Sequence, residues 1–231
     1  EEYISSDVMR YKCRNCGTEF ENILTNPQKF YCPNCTNYIS NPEYEVKEYI
    51  ENLGFSFESN NRTLIKPYEL DIYIPEKKLA IEFNGDYWHS VPMVDEYYHQ
   101  RKSIMCLDAG VRLIHIFEHE WKNEKEICKS IIKSALGITD KKIFARKCSV
   151  REISSVEYKN FLTLNHLQGA VNSSVRYGLV YNDELISVIG FGKSRFKKNE
   201  MELHRFCSKL NYNVVGGFSK LIKHSGIKEF I

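Results

Sequence analysis

The alternation of apolar and polar positions predicts that helices and strands follow one another through the middle of the chain. Val46, Tyr49, Ile50 and Leu53 recur at helical spacing, and Gly54 is placed to end that helix. We expect two strands next, then a helix, a third strand and a last helix. The expected bounds are 69–74 and 79–83, then 95–109, 112–117 and 125–136. This order predicts a small α/β domain with a mixed sheet.

A second set of elements follows a boundary that the sequence places at residues 137–142. We expect a helix at 155–164, strands at 176–181, 185–190 and 202–207, and a helix at 218–224. Phe230-Ile231 has the character of a strand that is just beginning, and the chain starts without Met. We therefore expect a fragment of a longer protein with three domains, at residues 1–40, 41–137 and 138–231, the last one truncated.

Composition indicates a soluble globular protein, with 42% hydrophobic and 27% charged residues. No apolar run approaches the about 20 residues that span a bilayer, and no signal-peptide pattern opens the chain. We therefore expect an intracellular protein with no membrane partner. The sequence leaves the oligomeric state open.

The net charge of +2 is divided unevenly along the chain. It is −1 over residues 1–40, −5 over residues 41–137 and +8 over residues 138–231. An acidic middle beside a basic end is typical of a protein that gathers carboxylates at a metal site and binds phosphates elsewhere. Solvated surfaces with no such role would give the same balance.

Four of the eight cysteines have the spacing of a structural zinc site. Cys13 and Cys16 form one Cys-x-x-Cys pair, and Cys32 and Cys35 form another after fifteen intervening residues. Two such pairs supply the tetrahedral thiolate shell of a closed site, which leaves no position for a reactive water. The sequence therefore predicts a structural zinc ribbon at residues 1–40 that does not itself perform chemistry.

Two acidic residues are placed to meet on the predicted hairpin. Asp71 lies near the start of one strand and Glu82 near the end of its partner. Antiparallel pairing would bring their carboxylates close together. Oxygen ligands of this kind suit Mg²⁺, which would polarise a scissile phosphate and lower the pKa of an attacking water. The alternative is that both are ordinary acids on a solvated face.

The residues after this hairpin carry a family resemblance. Glu82-x-Asn84 is followed by Gly85, and Tyr87-Trp88-His89 comes next. This pattern resembles the very-short-patch (Vsr) mismatch-repair endonucleases, and more closely the phage homing endonucleases of the EDxHD type. Both are variants of the PD-(D/E)xK restriction-endonuclease fold, and the resemblance covers residues 40–136. It implies a restriction-endonuclease-like mixed-sheet core, Mg²⁺ as catalytic cofactor, double-stranded DNA as partner, and the host cytoplasm as location if a phage encodes the chain.

The resemblance assigns a role to several positions. Glu43 takes the place of the family's helix glutamate, Asp71 that of the metal-binding aspartate, and His89 that of the histidine proposed as general acid or base. Asn84 stands where the mismatch-repair enzymes have another histidine.

The family's last acid should lie on the helix before the third strand, where this chain has His99, with Asp95 or Glu96 as substitutes. Lys102 would supply the positive charge that related enzymes place at position 84, and Glu82 has the position of their second metal-binding acid. His115 and His119 are interpreted as structural.

Two groups of basic residues in the C-terminal third are candidates for contacts with the DNA backbone. The first group is Lys141, Lys142, Arg146 and Lys147, with Arg151 close by, and the second is Lys193, Arg195, Lys197 and Lys198 beside Phe191 and Phe196. A plain solvated hairpin is the alternative for the second group. We expect this third of the chain to target the protein to DNA.

The order of elements in the last third resembles the GNAT acetyltransferase fold. The resemblance rests on Val215-Gly216-Gly217-Phe218 at the start of a predicted helix. In that fold, backbone amides at the helix N-terminus bind a pyrophosphate. The resemblance implies a small α+β, GNAT-like domain, and acyl transfer to a nucleobase as one possible activity.

Together these features predict a metal-dependent DNA endonuclease. Its mixed-sheet core would follow a Cys₄ zinc ribbon and precede a basic α+β domain. Two alternatives stay open: a DNA-binding module whose nuclease core has decayed, and a nucleobase-modifying acyltransferase. The target sequence, and whether one or both strands are cut, cannot be predicted from this pattern.

Overall fold

The computed structural model describes residues 8–13, 17–23, 41–85, 97–195, 197 and 200–230. These residues form two compact units, 1–55 and 56–231. The division does not test the three predicted domains, which stay a prediction.

The first unit begins with a two-stranded antiparallel hairpin, β1 (Val8–Lys12) and β2 (Glu19–Ile23). Half-buried Cys13 directly follows β1, and a tight turn holds its backbone. The Cys13 amide donates to the Thr18 carbonyl and the Gly17 amide donates to the Cys13 carbonyl, both at 2.9 Å. The same unit contains helix α1 (Asn41–Asn52), in which Val46 and Ile50 are buried.

The second unit opens with a four-stranded mixed sheet in the order β3-β4-β5-β6. Only the β5–β6 pair is parallel. The strands are β3 (Glu58–Asn61), β4 (Leu70–Ile74), β5 (Leu79–Asn84) and β6 (Arg112–Phe117). A 3-10 turn at Pro75–Lys77 joins β4 to β5, and Lys78 closes it with φ of 47°.

Parallel strands need a crossover, and helix α2 (Tyr98–Asp108) lies in the connection from β5 to β6. Helices α3 (Glu118–Asn123) and α4 (Lys125–Leu136) follow β6. Strand β5 runs between β4 and β6, and all six of its residues are buried. Polar residues on β5 are therefore held in the interior, where burial of an unpaired charge is costly.

The rest of the second unit contains two further sheets. One is antiparallel in the order β11-β10-β9-β8, and the other is a parallel pair of β7 and β12. The elements are β7 (Lys141–Phe144), β8 (Ser149–Glu152), α5 (Ser155–Asn165), β9 (Val175–Tyr181), β10 (Glu184–Lys193), β11 (Met201–Ser208), β12 (Tyr212–Val215) and α6 (Gly217–Ser225). Their shared core includes Leu179, Ile189, Phe191 and Leu221.

The predicted α/β class with a mixed-sheet core is confirmed. The predicted bounds of β6 and α4 agree with the structure. The strand predicted to begin at Phe230-Ile231 does not include Phe230, whose ring packs against Phe191 at a centroid distance of 5.6 Å, and Ile231 lies outside the described residues. The expected boundary at 137–142 already contains the start of β7. Within the described residues, no helix is both long enough and apolar enough to cross a membrane.

Candidate active site

The two predicted acids lie side by side on the central strands of the mixed sheet. The β4–β5 register pairs Ile72 with Ile81, which places Asp71 opposite Glu82 at the next position. The Phe83 amide donates to Asp71 Oδ2 at 2.8 Å, which fixes the aspartate against β5. Glu82 is only 6% exposed, whereas Asp71 is half-buried. Two carboxylates therefore share one edge of the hairpin, one of them inside the protein.

Lys102 of α2 supplies a positive charge to this acid pair. Its side chain is 1% exposed, and its ammonium forms an ion pair with Glu82 Oε1. The other carboxylate oxygen, Glu82 Oε2, is buried and has no hydrogen bond within the described residues. Burial and then the negative charge of Asp71 raise the pKa of Glu82 to about 7, and the Lys102 ammonium opposes both.

His115 of β6 joins the site from the opposite side of β5. The parallel register pairs it with Glu82, and it lies between two polar side chains. Its Nδ1 is 3.4 Å from Asn84 Nδ2, and its Nε2 is 3.1 Å from Ser103 Oγ. Ser103 Oγ also donates to the His99 carbonyl at 2.8 Å. A chain of hydrogen bonds therefore runs from β5 through β6 to the backbone of α2.

These hydrogen bonds determine which ring nitrogen of His115 carries the proton. The Ser103 hydroxyl proton is used on the His99 carbonyl, so its oxygen accepts from Nε2–H of His115. Nδ1 is then the acceptor for the Asn84 amide. A neutral ring agrees with the pKa of His115, which burial first, and then the charges of His99 and Lys102, lower to about 4.

The β5–α2–β6 crossover explains why these side chains meet. Four residues of α2 recur at helical spacing and form its inward face: His99, Lys102, Ser103 and Cys106. The Cys106 end is apolar and packs in a cluster with Ala80 and Val111. The other end is polar and meets Glu82 and His115. The His99 and His115 rings pack edge to face at a centroid distance of 5.3 Å.

The structure thus brings together five of the residues predicted for catalysis: Asp71, Glu82, Asn84, His99 and Lys102. It adds Ser103, which the sequence analysis does not single out, and His115, which it interprets as structural. Strand alternation predicts only the sheet face on which His115 lies, and its hydrogen bonds to Asn84 and Ser103 agree with a structural role. The signal that could have found it is the helical spacing of the polar residues on α2, which implies a polar partner on the sheet.

Other predicted residues are not tested by this geometry. Glu43 belongs to the first unit, where its carboxylate forms an ion pair with buried Lys47 at 2.8 Å. Its role as the helix glutamate stays a prediction. Outside the described residues lie the predicted general acid or base, three zinc ligands, one basic residue and the two substitute acids: His89, Cys16, Cys32, Cys35, Lys198, Asp95 and Glu96.

The side chains of the site offer oxygen ligands for only one of the two metals that the sequence predicts, Mg²⁺. Among the described residues, no three His, Cys, Asp or Glu side chains lie together in a group that could hold a metal ion. Mg²⁺, however, is commonly held by one or two carboxylates, with waters and substrate phosphates as its other ligands. The Asp71–Glu82 pair fits that pattern, and the unsatisfied Glu82 Oε2 is an oxygen ligand of the right kind.

Comparison with known proteins gives one likeness. No family model matches the chain. No curated protein matches it. Among solved structures, the chain is similar to the catalytic domain of the homing endonuclease I-Bth0305I, with 25% sequence identity over 43% of this chain and 97% of that one. The TM-score is 0.36, which is too low to support an argument about fold or activity.

The two predicted basic groups lie at separate places in the second unit. The first occupies β7 and the 3-10 turn at Ala145–Lys147. The second occupies the end of β10 and the connection to β11, which confirms that it is a hairpin. Between α4, the β11–β12 connection and the start of α6 lies a cleft of about 520 Å³. The GNAT resemblance of this region stays a prediction.

Proposed function

We propose that the chain is a metal-dependent endonuclease that hydrolyses phosphodiester bonds in double-stranded DNA. The observation that supports this proposal best is the arrangement of Asp71, Glu82 and Lys102. The two carboxylates lie opposite one another on neighbouring strands, one of them is paired with a buried ammonium, and the second oxygen of that carboxylate lacks a hydrogen bond. A buried acceptor without a partner is costly in a purely structural ion pair, by about 1–3 kcal/mol. The same oxygen is explained if it binds a cation.

Asp71 and Glu82 are the residues that would hold Mg²⁺. When bound, the ion would stabilise charge on the scissile phosphate and make a water molecule more acidic. The hydrogen bond from the Phe83 amide orients one Asp71 oxygen, and the ion pair with Lys102 orients one Glu82 oxygen. Each acid is therefore fixed at one oxygen by the protein. Such preorganisation lowers the cost of assembling the site when substrate arrives.

Lys102 acts as a positioning residue in this proposal. Its ammonium is buried and paired with Glu82, so it does not contact DNA unless α2 moves. Its positive charge favours the ionised form of Glu82, which is the form that binds a cation. This differs from a lysine that touches the reacting phosphate.

The remaining roles are carried over from the resemblance. His89 would transfer a proton during hydrolysis, and Glu43 would orient a metal-bound water. Asn84 is held by His115 through one amide hydrogen bond, which leaves its carbonyl oxygen to orient water or phosphate. These assignments predict that His89→Gln loses cleavage and keeps DNA binding.

The test is cleavage of plasmid DNA by the full chain in Mg²⁺. We expect nicked or linear product that disappears in EDTA and in Asp71→Ala. Asp108→Asn is the matched control, because Asp108 is an exposed acid at the far end of α2. Full cleavage by Asp71→Ala, or in EDTA, would exclude the proposal.

The main rival is a DNA-binding module without catalytic activity. It is favoured by the ion pair itself, since Lys102 already neutralises Glu82 without any metal. Calorimetric titration with Mg²⁺ or Mn²⁺ separates the two. A catalytic core should bind the ion and lose binding in Asp71→Ala, whereas a decayed core should shift DNA in a gel without cleaving it. Acyl transfer is tested by acetyl-CoA, which should raise the melting temperature if the cleft beside α6 binds it.

A further inference from the structure

The two basic groups differ in whether acidic side chains neutralise them. In the hairpin group, Arg195 forms an ion pair with Glu202 at 2.9 Å, and Lys197 forms one with Glu200 at 3.4 Å. In the β7 group, Lys142, Arg146 and Lys147 form no ion pair with the described part of the chain. Residues 141–151 also contain no acid. The β7 group therefore has three cations without an ion pair, whereas the described part of the hairpin group has one, Lys193.

These cations are arranged on one exposed face. Along β7, Ile143 points into the core while Lys142 and Phe144 face outward, and their partners on β12 are Asn213 and Val215. We call the outward residues of the two strands, together with Arg146 and Lys147, the β7–β12 face. Phe144 lies at the centre of this face and is 38% exposed. The Arg146 guanidinium lies 5.0 Å and the Lys142 ammonium 5.8 Å from the centroid of the Phe144 ring.

Contacts with the Phe144 ring order two of the three cations before any partner arrives. A cation over an aromatic face at this distance is held by about 0.5–1 kcal/mol at an exposed site. The remaining cation, Lys147, has an exposed side chain on the 3-10 turn. Ordered cations lose less entropy on binding than free lysine and arginine side chains do.

Lys220 of α6 holds the turn that carries Arg146 and Lys147. Its ammonium donates to the Ala145 carbonyl at 2.9 Å and to the Cys148 carbonyl at 2.5 Å. A partly buried pair of hydrogen bonds under the turn therefore fixes the backbone, while the charged side chains stay in solvent. The Lys220 charge is used internally and is not available to a partner.

We propose that the β7–β12 face binds the sugar-phosphate backbone of double-stranded DNA and that the β10–β11 hairpin does not. The inference rests on the proposed function, which supplies DNA as the substrate. Cations that release counterions on binding phosphate dominate the affinity of proteins for DNA. Lys142, Arg146 and Lys147 can do so without breaking an ion pair. Arg195 and Lys197 would first have to leave Glu202 and Glu200.

The charges favour DNA over an apolar partner. The face presents three cations around one aromatic ring, and backbone contacts of this kind need no base recognition. It should therefore hold DNA of any sequence, leaving specificity to other parts of the protein.

Two triple variants with the same loss of charge test the assignment. One is Lys142→Gln/Arg146→Gln/Lys147→Gln, and the other is Lys193→Gln/Arg195→Gln/Lys197→Gln. Binding of a fluorescent duplex of arbitrary sequence is followed by anisotropy in EDTA, at several salt concentrations. The slope of log K against log salt should fall by about 2.7 in the first variant, since each phosphate contact contributes about 0.9. Affinity near 0.1 M salt should fall by roughly 100-fold or more. The second variant should bind within a few-fold of the unmodified chain.

The proposal would be overturned if both triple variants lost the same affinity for the duplex, or if only the hairpin variant lost affinity. Tighter binding of a single strand than of the duplex would overturn the choice of double-stranded DNA. The first triple variant could be less stable and melt at a lower temperature than the unmodified chain. In that case the single variant Lys147→Gln tests the proposal, because the Lys147 side chain is exposed. Its slope of log K against log salt should fall by about 0.9. Because EDTA prevents cleavage, failure of the β7–β12 face and failure of the nuclease proposal are seen in different experiments.

Discussion

At the scale of single residues, Lys102 and Glu82 link the candidate site to pH. Burial and the charge of Asp71 raise the pKa of Glu82 to about 7, and Lys102 works against both. Removing the ammonium in Lys102→Met should therefore raise that pKa further. Since the ionised carboxylate is needed to bind Mg²⁺, the acidic limb of the pH–rate profile for plasmid cleavage should move to higher pH. Lys102→Arg should keep it in place, and an unshifted profile in Lys102→Met would contradict the positioning role.

Stability of the metal-free chain should also depend on Glu82. Its pKa is raised in the folded state, from an ordinary value near 4.5 to about 7. Between these values the unfolded chain releases the proton while the folded chain retains it, so the free energy of unfolding falls as pH rises. Glu82→Gln cannot titrate and should escape this fall. When both are unfolded by urea in EDTA, the free energy of unfolding of the variant, relative to that of the unmodified chain, should therefore rise from pH 4.5 to 7.

Glu76→Gln is the control for this measurement, since Glu76 is exposed on the turn between β4 and β5. It should follow the unmodified chain at each pH. If Glu82→Gln also runs parallel to the unmodified chain, the carboxylate has an ordinary pKa in the folded state.

The sequence predicts which residues meet at this site better than it predicts how deeply each of them is buried. Asp71 and Glu82 could be placed together because strand pairing is regular. Burial of Lys102 could not be foreseen, because lysine is rarely buried unless it is paired, and the pairing depends on how α2 crosses the sheet. The hydrogen bond between Ser103 and His115 depends on the same crossing.

At the scale of elements, the polar end of α2 is attached to the sheet through Ser103. In Ser103→Ala, the Nε2–H of half-buried His115 loses its acceptor. We expect a loss of about 1–3 kcal/mol in the free energy of unfolding. Ser134→Ala is the matched control, because Ser134 is exposed on α4, and it should change stability by less than about 0.5 kcal/mol. An equal effect in both variants would show that the hydrogen-bond chain contributes nothing to stability.

Elements with strong local patterns could be predicted, and those defined by distant partners could not. Strand β6 is rich in branched apolar residues and starts directly after the turn at Gly110, and α4 has buried residues at regular helical spacing that end before Gly137. Both have the predicted bounds. Strands β7 and β12 have four residues each, and every residue pairs with one that lies 71 positions away in the sequence. No local pattern of four residues specifies a partner so far away.

At the scale of the whole molecule, the zinc ribbon remains a prediction that is simple to test. We expect the purified chain to contain one zinc ion, measured by atomic absorption, and Cys13→Ser to lose it because one of four thiolates is missing. Cys148→Ala is the control, since this cysteine is buried in the core of the second unit. Purified chain without zinc would contradict the prediction.

The parallel pairing of β7 with β12 has a consequence for the order in which the protein becomes active during synthesis. The β7–β12 face needs Tyr212–Val215 as its second strand and Lys220 to hold the turn. The mixed sheet, by contrast, is complete at Phe117. A ribosome therefore releases the strands that carry the acid pair about a hundred residues before the surface proposed to hold DNA can form. A nascent chain would therefore have the residues proposed for cleavage before it has the surface proposed to hold DNA.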